Sequence, residues 1–435
     1  MRRNIDFKKI RSIYFIGIGG IGVSALAKMA LLYGKRVYGS DRNASPVTEK
    51  LAKDGAKIFI GHAKGNIPKG IDTVIYTIAI SKDNPELKEA EKRKIPLYTY
   101  PQALGFLSRE KETIAIAGTH GKTTTTAMVH EILSAGKKAP TTIVGSFLNG
   151  KRENFITGKG KYFVVEACEY GKSFMNLSPK IAVITNIDND HLDYYKTLDN
   201  VIRAFCDFAR KVPKNGHIIA NLEDQNIRKA LRGVSAPVID YTTIRMETPL
   251  SVLGEHNRKN AQAAYATGKL LKISDKSIRH ALKNFKGTWR RQEYKGKTAK
   301  GALIYDDYAH HPTEIKATIA AFRDRFPKEK ITIVFQPHLY SRTKFLFDGF
   351  TRALSAADSV FILPIYAARE KPTRGVTGEK LAMAIKKKNP HTLYIESFAI
   401  AAEKLSGSVG KNDIVITIGA GDVYIIGKLM LDKKK

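Results

Sequence analysis

The chain has 435 residues, with 73 Lys+Arg against 41 Asp+Glu for a formal net charge of +32. At ~150 residues per domain this length implies about three domains, and a hydrophobic share of 43% supplies their cores and excludes a disordered chain. Two cysteines, Cys168 and Cys206, exclude a disulfide framework and fit a reducing compartment, so a cytoplasmic location is expected. The positive charge has two readings: nucleic-acid binding, or an enzyme with anionic substrates and a basic surface. Lys and Arg are spread along the whole chain, which favours the enzyme and no nucleic-acid partner. The runs Lys386–Lys388 and Lys433–Lys435 read as solvated surface.

The basic start, Met1 to Arg11, precedes an apolar stretch from Ile13 to Ala27 whose end, Ala25-Leu26-Ala27, has the pattern of a signal-cleavage site. Glycines 17, 19, 20 and 22 inside it argue instead for a strand, a tight turn and a helix. No segment reaches the ~18 apolar residues of a membrane span, so no membrane insertion is expected. Residues 12–16, 36–38, 57–60 and 73–76 are short β-rich runs separated by helical stretches, the rhythm of a parallel sheet with crossover helices. A second unit begins near Thr113, with a strand over 113–117, a Gly/Thr loop and a helix over 122–134. Strands over 162–165 and 181–185 and a helix over 198–210 continue it. A third unit follows Trp289-Arg290-Arg291, with strands over 303–305, 331–335, 359–363, 392–395 and 414–418. The expected class is α/β, with domains over 1–110, 111–289 and 290–435.

Two loops carry phosphate chemistry. Gly17-Ile-Gly19-Gly20-Ile-Gly22 satisfies G-x-G-x-x-G after a strand and before a helix, with Asp41 downstream to take a ribose or sugar hydroxyl. Alone it fits a nicotinamide dehydrogenase, or a turn whose glycines serve packing. Gly118-Thr119-His120-Gly121-Lys122-Thr123-Thr124 also joins a strand to a helix. Its backbone N–H groups can cradle phosphates, Lys122 adds a point charge, and the Thr123 hydroxyl can reach Mg²⁺. It departs from the strict phosphate-loop pattern, which has glycine where this chain has Ile116. Two such loops imply two phosphorylated ligands, which a simple dehydrogenase does not need.

In these residues the chain resembles the Mur ligases, the ATP-dependent amino-acid ligases of peptidoglycan synthesis. The ordered series carries the resemblance: Gly17–Gly22 with Gly39-Ser40-Asp41, Asn84-Pro85-Glu86, Gly118–Thr125, Glu166-Ala-Cys-Glu-Tyr170, Thr185-Asn-Ile-Asp188 with Asp190-His191, Gly254-Glu-His-Asn257 with Asn260, Arg290-Arg291, Asp306–Glu314, Gln336-Pro-His338 with Arg342, and Gly419–Asp422. The Asp306–Glu314 segment points to the alanine-adding branch. The resemblance implies an N-terminal Rossmann-like UDP-binding domain, a central P-loop-type ATPase domain and a C-terminal Rossmann-like domain. It implies ligation of L-alanine to the lactyl carboxylate of UDP-N-acetylmuramate, with ATP, Mg²⁺ (or Mn²⁺) and an acyl phosphate, by a monomer or weak homodimer.

The resemblance also implies roles for particular residues. Gly17, Gly19, Gly20, Gly22, Ser40 and Asp41 would hold the UDP-sugar. Gly118 to Thr124 would hold the ATP phosphates, Asn257 and Asn260 the adenine side, and Asp307 the ribose. Thr123 and Glu166 would hold Mg²⁺ and His191 a second metal, while Lys122, Arg291 and Arg342 neutralise charge and His310 and His311 lie near the amino acid and the acyl phosphate, where an imidazole can deprotonate the alanine amine. Satisfied loop histidines and helix-capping asparagines are the alternatives. Cys168, between two carboxylates, reads as a small apolar residue rather than a nucleophile, and Trp289 as a hinge residue. Several Mur ligases carry a carbamoylated lysine fourteen residues after the metal-binding histidine. Counting from His191, that position here is Phe205, so no carbamate is expected. The central domain is short over 240–254, where this branch usually carries a small extra sheet. A recycling ligase for murein peptides is the closest rival; it tends toward Asp-Glu-Tyr-Asp where this chain has Cys168-Glu169-Tyr170-Gly171. A nucleic-acid-binding ATPase would need interleaved basic and aromatic residues, and none are found.

Overall fold

Apolar, β-branched runs too short for helices form the first sheet: β1 (Ser12–Ile16), β2 (Arg36–Asp41), β3 (Lys57–Ile60), β4 (Thr73–Tyr76) and β5 (Leu97–Thr99). The computed structural model describes residues 7, 9–148, 153–368 and 370–432, so Lys433–Lys435 and most of the basic start lie outside the described residues. All five strands are parallel, in the order β3-β2-β1-β4-β5. Every residue of the central β1 is buried, as a strand covered on both faces requires. The order reverses between β1 and β4, the switch point at which such sheets bind ligands, and the glycine loop leaves β1 there. The apolar stretch 13–27 is thus a strand, a turn and part of the helix Ile21–Leu32.

The second sheet comprises β6 (Glu112–Ala117), β7 (Thr141–Ile143), β8 (Phe155–Ile156), β9 (Tyr162–Glu166), β10 (Pro179–Ile184), β11 (His217–Ala220) and β12 (Val238–Asp240). Its order is β12-β11-β10-β6-β9-β7-β8, and only β7–β8 pair antiparallel. The helix Lys122–Ala135 springs from the loop after β6. Residues 244–254 carry neither strand nor helix, in keeping with a shortened central domain. These two sheets share one compact unit: Met1–Asn189, Thr197–Thr248 and Ala261–Leu282.

The other compact unit is Asp190–Lys196, Pro249–Asn260 and Lys283–Lys435. Its sheet holds β13 (Glu293–Lys297), β14 (Leu303–Asp307), β15 (Lys330–Phe335), β16 (Ser359–Ile362), β17 (Thr392–Tyr394) and β18 (Asp413–Ile418), in the order β13-β14-β18-β15-β16-β17. A β13–β14 hairpin is antiparallel and the rest parallel. Phe322, Phe335 and Phe350 fill the core on one face. The last strand, β18, inserts between β14 and β15, which brings the ends of all three, Asp307, Ile418 and Phe335, side by side.

Candidate active site

The glycine loop is built by β2. Gly17 and Ile18 donate their N–H groups to the Ser40 carbonyl at 2.8 and 3.0 Å, and Gly19 donates to the Asp41 carboxylate at 2.8 Å. Ser40 itself is fully buried, and its hydroxyl donates inward to Glu86 at 2.5 Å. Glu86, also fully buried, accepts further bonds from Tyr14 (3.0 Å), Asn66 (2.7 Å) and the Ala63 N–H (3.3 Å), and lies 3.1 Å from His62 Nδ1. A buried carboxylate persists only with such donors. Ser40 therefore supports the loop from behind, while the Asp41 carboxylate is tied to the Gly19 N–H.

The second loop is held by the segment after β10. Thr119 N–H donates to the Asn186 carbonyl (3.0 Å), His120 N–H to Asn186 Oδ1 (2.8 Å), and the Thr185 hydroxyl to the His120 carbonyl (2.6 Å). His120 Nε2 lies 3.2 Å from Asp188. Gly118, at φ +139°, is where a Cβ would collide with the Thr185 hydroxyl, so glycine is required there. Lys122 opens the helix and curls back: its Nζ donates to the carbonyls of Gly118 (2.5 Å) and Thr119 (3.0 Å) and to Glu169 (3.1 Å). Burial disfavours the charge, but Glu169 and its neighbours outweigh that and raise the Lys122 pKa. Thr123 and Thr124 are buried beneath the loop. Glu166, ending β9, accepts the Gly145 N–H at 2.5 Å. The chain then turns so that Glu169 faces inward at 2% side-chain exposure. Cys168 consequently lies exposed.

The unit with the third sheet gathers a different set. Arg342 donates to Asp190 (3.2 Å) and to His338 Nδ1 (3.1 Å), and Asp190 also accepts the His191 N–H (2.7 Å). Burial works against ionisation of Asp190, but His191, Arg342 and His310 hold its carboxyl far below the usual carboxylate range. His191 sits in a left-handed backbone conformation at φ +56°, with Nε2 3.8 Å from Asp190. His310 donates its N–H to Glu314 (2.9 Å), and its Nδ1 lies 2.9 Å from the Tyr308 carbonyl, which fixes the proton on Nδ1 and leaves Nε2 an acceptor. Burial lowers its pKa to about 4, with Arg342 adding to the effect against Glu314 and Asp190. His311 caps the helix Pro312–Arg325, its Nδ1 accepting the Thr313 N–H. Asp307 is buried, accepting from Thr318 (2.9 Å) and the Ala309 N–H (3.1 Å), and burial pushes its pKa up to about 6.

Of the paired arginines, Arg290 turns inward to Asp306 (2.7 Å) and the Gly421 and Gly419 carbonyls (2.7 Å each). Arg291 stays partly exposed, over Tyr308 at 5.1 Å and 3.9 Å from Glu314. Asn257 donates to the Leu253 carbonyl (2.8 Å) and Asn260 to Asn257 (3.2 Å), so both are buried and mutually engaged. Trp289 packs on Tyr424 at 6.0 Å between ring centroids; this partner belongs to the third sheet's own unit.

Three successive stretches match known domains: the Mur ligase family catalytic domain over residues 12–112, the Mur ligase middle domain over 116–243 and the Mur ligase glutamate ligase domain over 290–421. The chain belongs to the Mur ligase family. This Mur ligase is 43% identical to the UDP-N-acetylmuramate–L-alanine ligase of Clostridium acetobutylicum, over 97% of this chain and 98% of that protein. It is 41% identical to the enzyme of the same name from Caldicellulosiruptor saccharolyticus, over 98% and 99%. Its fold superposes on the UDP-N-acetylmuramate-alanine ligase of Thermotoga maritima with a TM-score of 0.82 at 28% identity, covering 97% of this chain and 98% of that one. A murein peptide ligase from Psychrobacter arcticus shares the fold, with a TM-score of 0.72 at 22% identity over 97% of this chain and 98% of that one. The three-domain α/β architecture read from the sequence stands.

Several residues that shape the Mur ligase site carried no assigned role in the sequence: Glu86, Glu169, Asn186, Asp188, Asp190 and Arg290. Asp190 and Arg290 stand next to the assigned His191 and Arg291 in the sequence, whereas Glu86 has no such neighbour. The carbamate position behaves as its residue type requires: Phe205 is fully buried on the helix Leu198–Ala209, edge-on to Phe174 at 5.4 Å.

Proposed function

We infer that this Mur ligase joins L-alanine to the lactyl carboxylate of UDP-N-acetylmuramate at the expense of ATP, in the cytoplasm, in peptidoglycan precursor synthesis. The observation that carries the reading is the Lys122 loop, held as a phosphate cradle, in a chain full-length similar to L-alanine ligases. The domain boundaries follow at 110 and 289, and the chain acts as a monomer or weak homodimer. No helix among the described residues is long and apolar enough to cross a membrane.

The carboxylate attacks the γ-phosphorus, the bond to the ADP oxygen breaks, and an acyl phosphate forms. Both reactants are anionic, so catalysis is mainly positioning and neutralisation. Lys122 exchanges Glu169 and the loop carbonyls for phosphate oxygens, and Arg291 and Arg342 supply further charge. Thr123 and Glu166 would offer hard oxygen donors suited to Mg²⁺, and His191 would serve a second metal, where an imidazole tolerates Mn²⁺. When bound, such an ion neutralises phosphate charge and draws electrons from the γ-phosphorus. In the second step the neutral amine of alanine attacks the acyl carbon, the bond to phosphate breaks, and the proton shed by the nitrogen leaves with the phosphate. His310, with a pKa of about 4, is neutral at pH 7 and too weak a base to keep an ammonium proton. Its Nε2 instead accepts a hydrogen bond from the amine and aims the nitrogen lone pair. Asp307, Asn257 and Asn260 shape the nucleotide end through the bonds they already make.

The test is phosphate release from ATP with UDP-N-acetylmuramate and each candidate acceptor in turn. L-alanine should support turnover. Turnover with a murein peptide and not with L-alanine would move the chain to the recycling reaction, and turnover of neither would reject ligation.

A further inference from the structure

Tyr100 lies against Gly22 of the first phosphate loop and within reach of the charge of Glu166 at the end of β9. The helix Tyr100–Glu110 follows β5 directly and is fixed at its start: Thr99 Oγ1 accepts the Gln102 N–H, Gln102 accepts the Thr99 N–H, and Pro101 occupies the first turn. Its backbone meets the segment after Glu169 where Gly105 abuts the Asn176 carbonyl, and Ser108 accepts the Ser178 N–H at 3.0 Å. On the other side the Tyr100 ring covers Gly22. A Cβ there would lie 2.6 Å from the ring and 2.9 Å from the phenolic oxygen. The third glycine of the nucleotide loop is therefore required by Tyr100, and the phenol is held against the end of that loop.

The hydroxyl has work left to do. Tyr100 is only partly exposed, yet its hydroxyl makes no hydrogen bond to the described residues, and it is not sealed from solvent as a buried orphan would be. A half-buried donor that no protein group engages is free to exchange water for a ligand oxygen. Burial, then the charges of Glu166 and Cys168, raise its pKa, so it stays a protonated donor at all physiological pH. A UDP-sugar whose diphosphate rests on the glycine loop must extend its carboxylate toward Lys122 and Glu166. A neutral donor suits that path, since the adjacent Glu166 repels an anion that a phenol can hold.

Resting on the function proposed above, we propose that Tyr100 is a substrate-binding residue whose hydroxyl donates to the sugar-acid portion of UDP-N-acetylmuramate between Gly22 and Glu166. Tyr100→Phe in the full chain tests it by calorimetry with UDP and with UDP-N-acetylmuramate. The affinity for UDP-N-acetylmuramate should fall about tenfold, that for UDP should hold, and KM for ATP should not move. Equal affinities of the two chains for UDP-N-acetylmuramate, or an equal loss for UDP, would overturn the assignment. Nitration of the wild-type chain by tetranitromethane gives an answer free of folding effects. UDP-N-acetylmuramate should protect Tyr100 where UDP does not, and the same rate with both would again refute it. A wild-type chain that binds no UDP-N-acetylmuramate would instead reject the function itself.

Discussion

Arg290→Ala should cost the second unit most of its margin of stability. The guanidinium is 3% exposed and its partner Asp306 1% exposed. It donates three bonds of 2.7 Å, to Asp306, Gly421 O and Gly419 O, and so ties β14 to the turn after β18. Tyr424 also stacks on it, 4.7 Å from ring centroid to guanidinium. Removing one partner of a buried pair costs about 3–5 kcal/mol, because the other charge is left without compensation. Asp306 would keep only the Thr417 hydroxyl, at 2.6 Å. Two orphaned carbonyls add to the loss, so ~4 kcal/mol is expected. At roughly 2–4 °C per kcal/mol for a unit of this size, the corresponding thermal transition should fall by about 8–16 °C. Scanning calorimetry of the full chain measures it. Arg290→Lys keeps the charge but not the three-way fork and should fall between. Arg290→Met with Asp306→Leu removes both charges and should recover part of the loss. A drop below ~1 kcal/mol for Arg290→Ala would show that the fork does not hold this unit together.

Other consequences follow the same geometry. Lys122→Ala should abolish ligation while UDP-sugar binding survives, and turnover within about tenfold of wild type, or ~1.4 kcal/mol of barrier, would remove Lys122 from the phosphate site. With Phe205 buried at the carbamate position, removing CO₂ at mildly acidic pH and restoring bicarbonate should leave turnover unchanged; a several-fold rescue would contradict it. Stability should carry two opposed pH terms. His310, lowered from 6.5 to about 4, lets the unfolded chain take a proton first, so its term is lost as pH falls from 6.5 through 4. Asp307, raised from 3.8 to about 6, is protonated first in the fold, so its term is lost as pH rises from 3.8 through 6. Asp307→Asn should therefore steepen acid destabilisation between pH 6.5 and 4 in urea titrations, and His310→Asn should reverse the slope; parallel curves would show that neither group is perturbed.

Strands that run as unbroken β-branched or aliphatic segments were legible from the sequence, because burial on both faces leaves no other pattern. β1, β3 and β4 have the bounds read from periodicity, and β6 and β18 gain one residue each. The short strands β5, β7, β8, β11 and β12 were not legible. These strands exist because a neighbouring strand is there to pair with, not because their own sequence sets them apart. β13 was hidden differently: Glu-Tyr-Lys-Gly-Lys is polar for a strand, but it lies on the antiparallel edge, where one face meets water. Among site residues, glycine loops announce themselves because positive φ and close approach need glycine. A supporting acid does not. Nothing local separates Glu86, at full burial, from Glu89 on the same helix, since only the three-dimensional meeting of Tyr14, Ser40 and Asn66 selects it. Ser40, expected at the ligand from its place beside Asp41, has a side chain that points the other way, to Glu86. Alternation along a strand dictates that outcome once Asp41 faces the loop.

The surplus of basic residues says less about the site than the placement of the acidic minority. Lys122 is held by Glu169, Arg290 by Asp306, Arg342 by Asp190, and Arg291 lies near Glu314. Each of these cations thus has an acidic partner that orients it, and for Lys122 Glu169 also favours the charge. The ranking of those partners separates two jobs. Arg290 has the shortest ion pair and three bonds, and its side chain is nearly sealed, so it is committed to structure. Arg291 and Glu314 are 3.9 Å apart with the arginine 29% exposed, so that contact yields easily to a ligand anion. Lys122 lies between: its bonds to Glu169 and two loop carbonyls are good, but each is a bond that a phosphate oxygen can replace with a more negative acceptor. An acid that binds a lysine too weakly would let it leave the loop, and a cation with no acid would lower its pKa in so buried a place and lose its charge. Glu169 at 2.9 Å meets both conditions. The formal +32 lies largely outside these pairs, on the surface, where it raises the local concentration of anionic substrates without selecting among them.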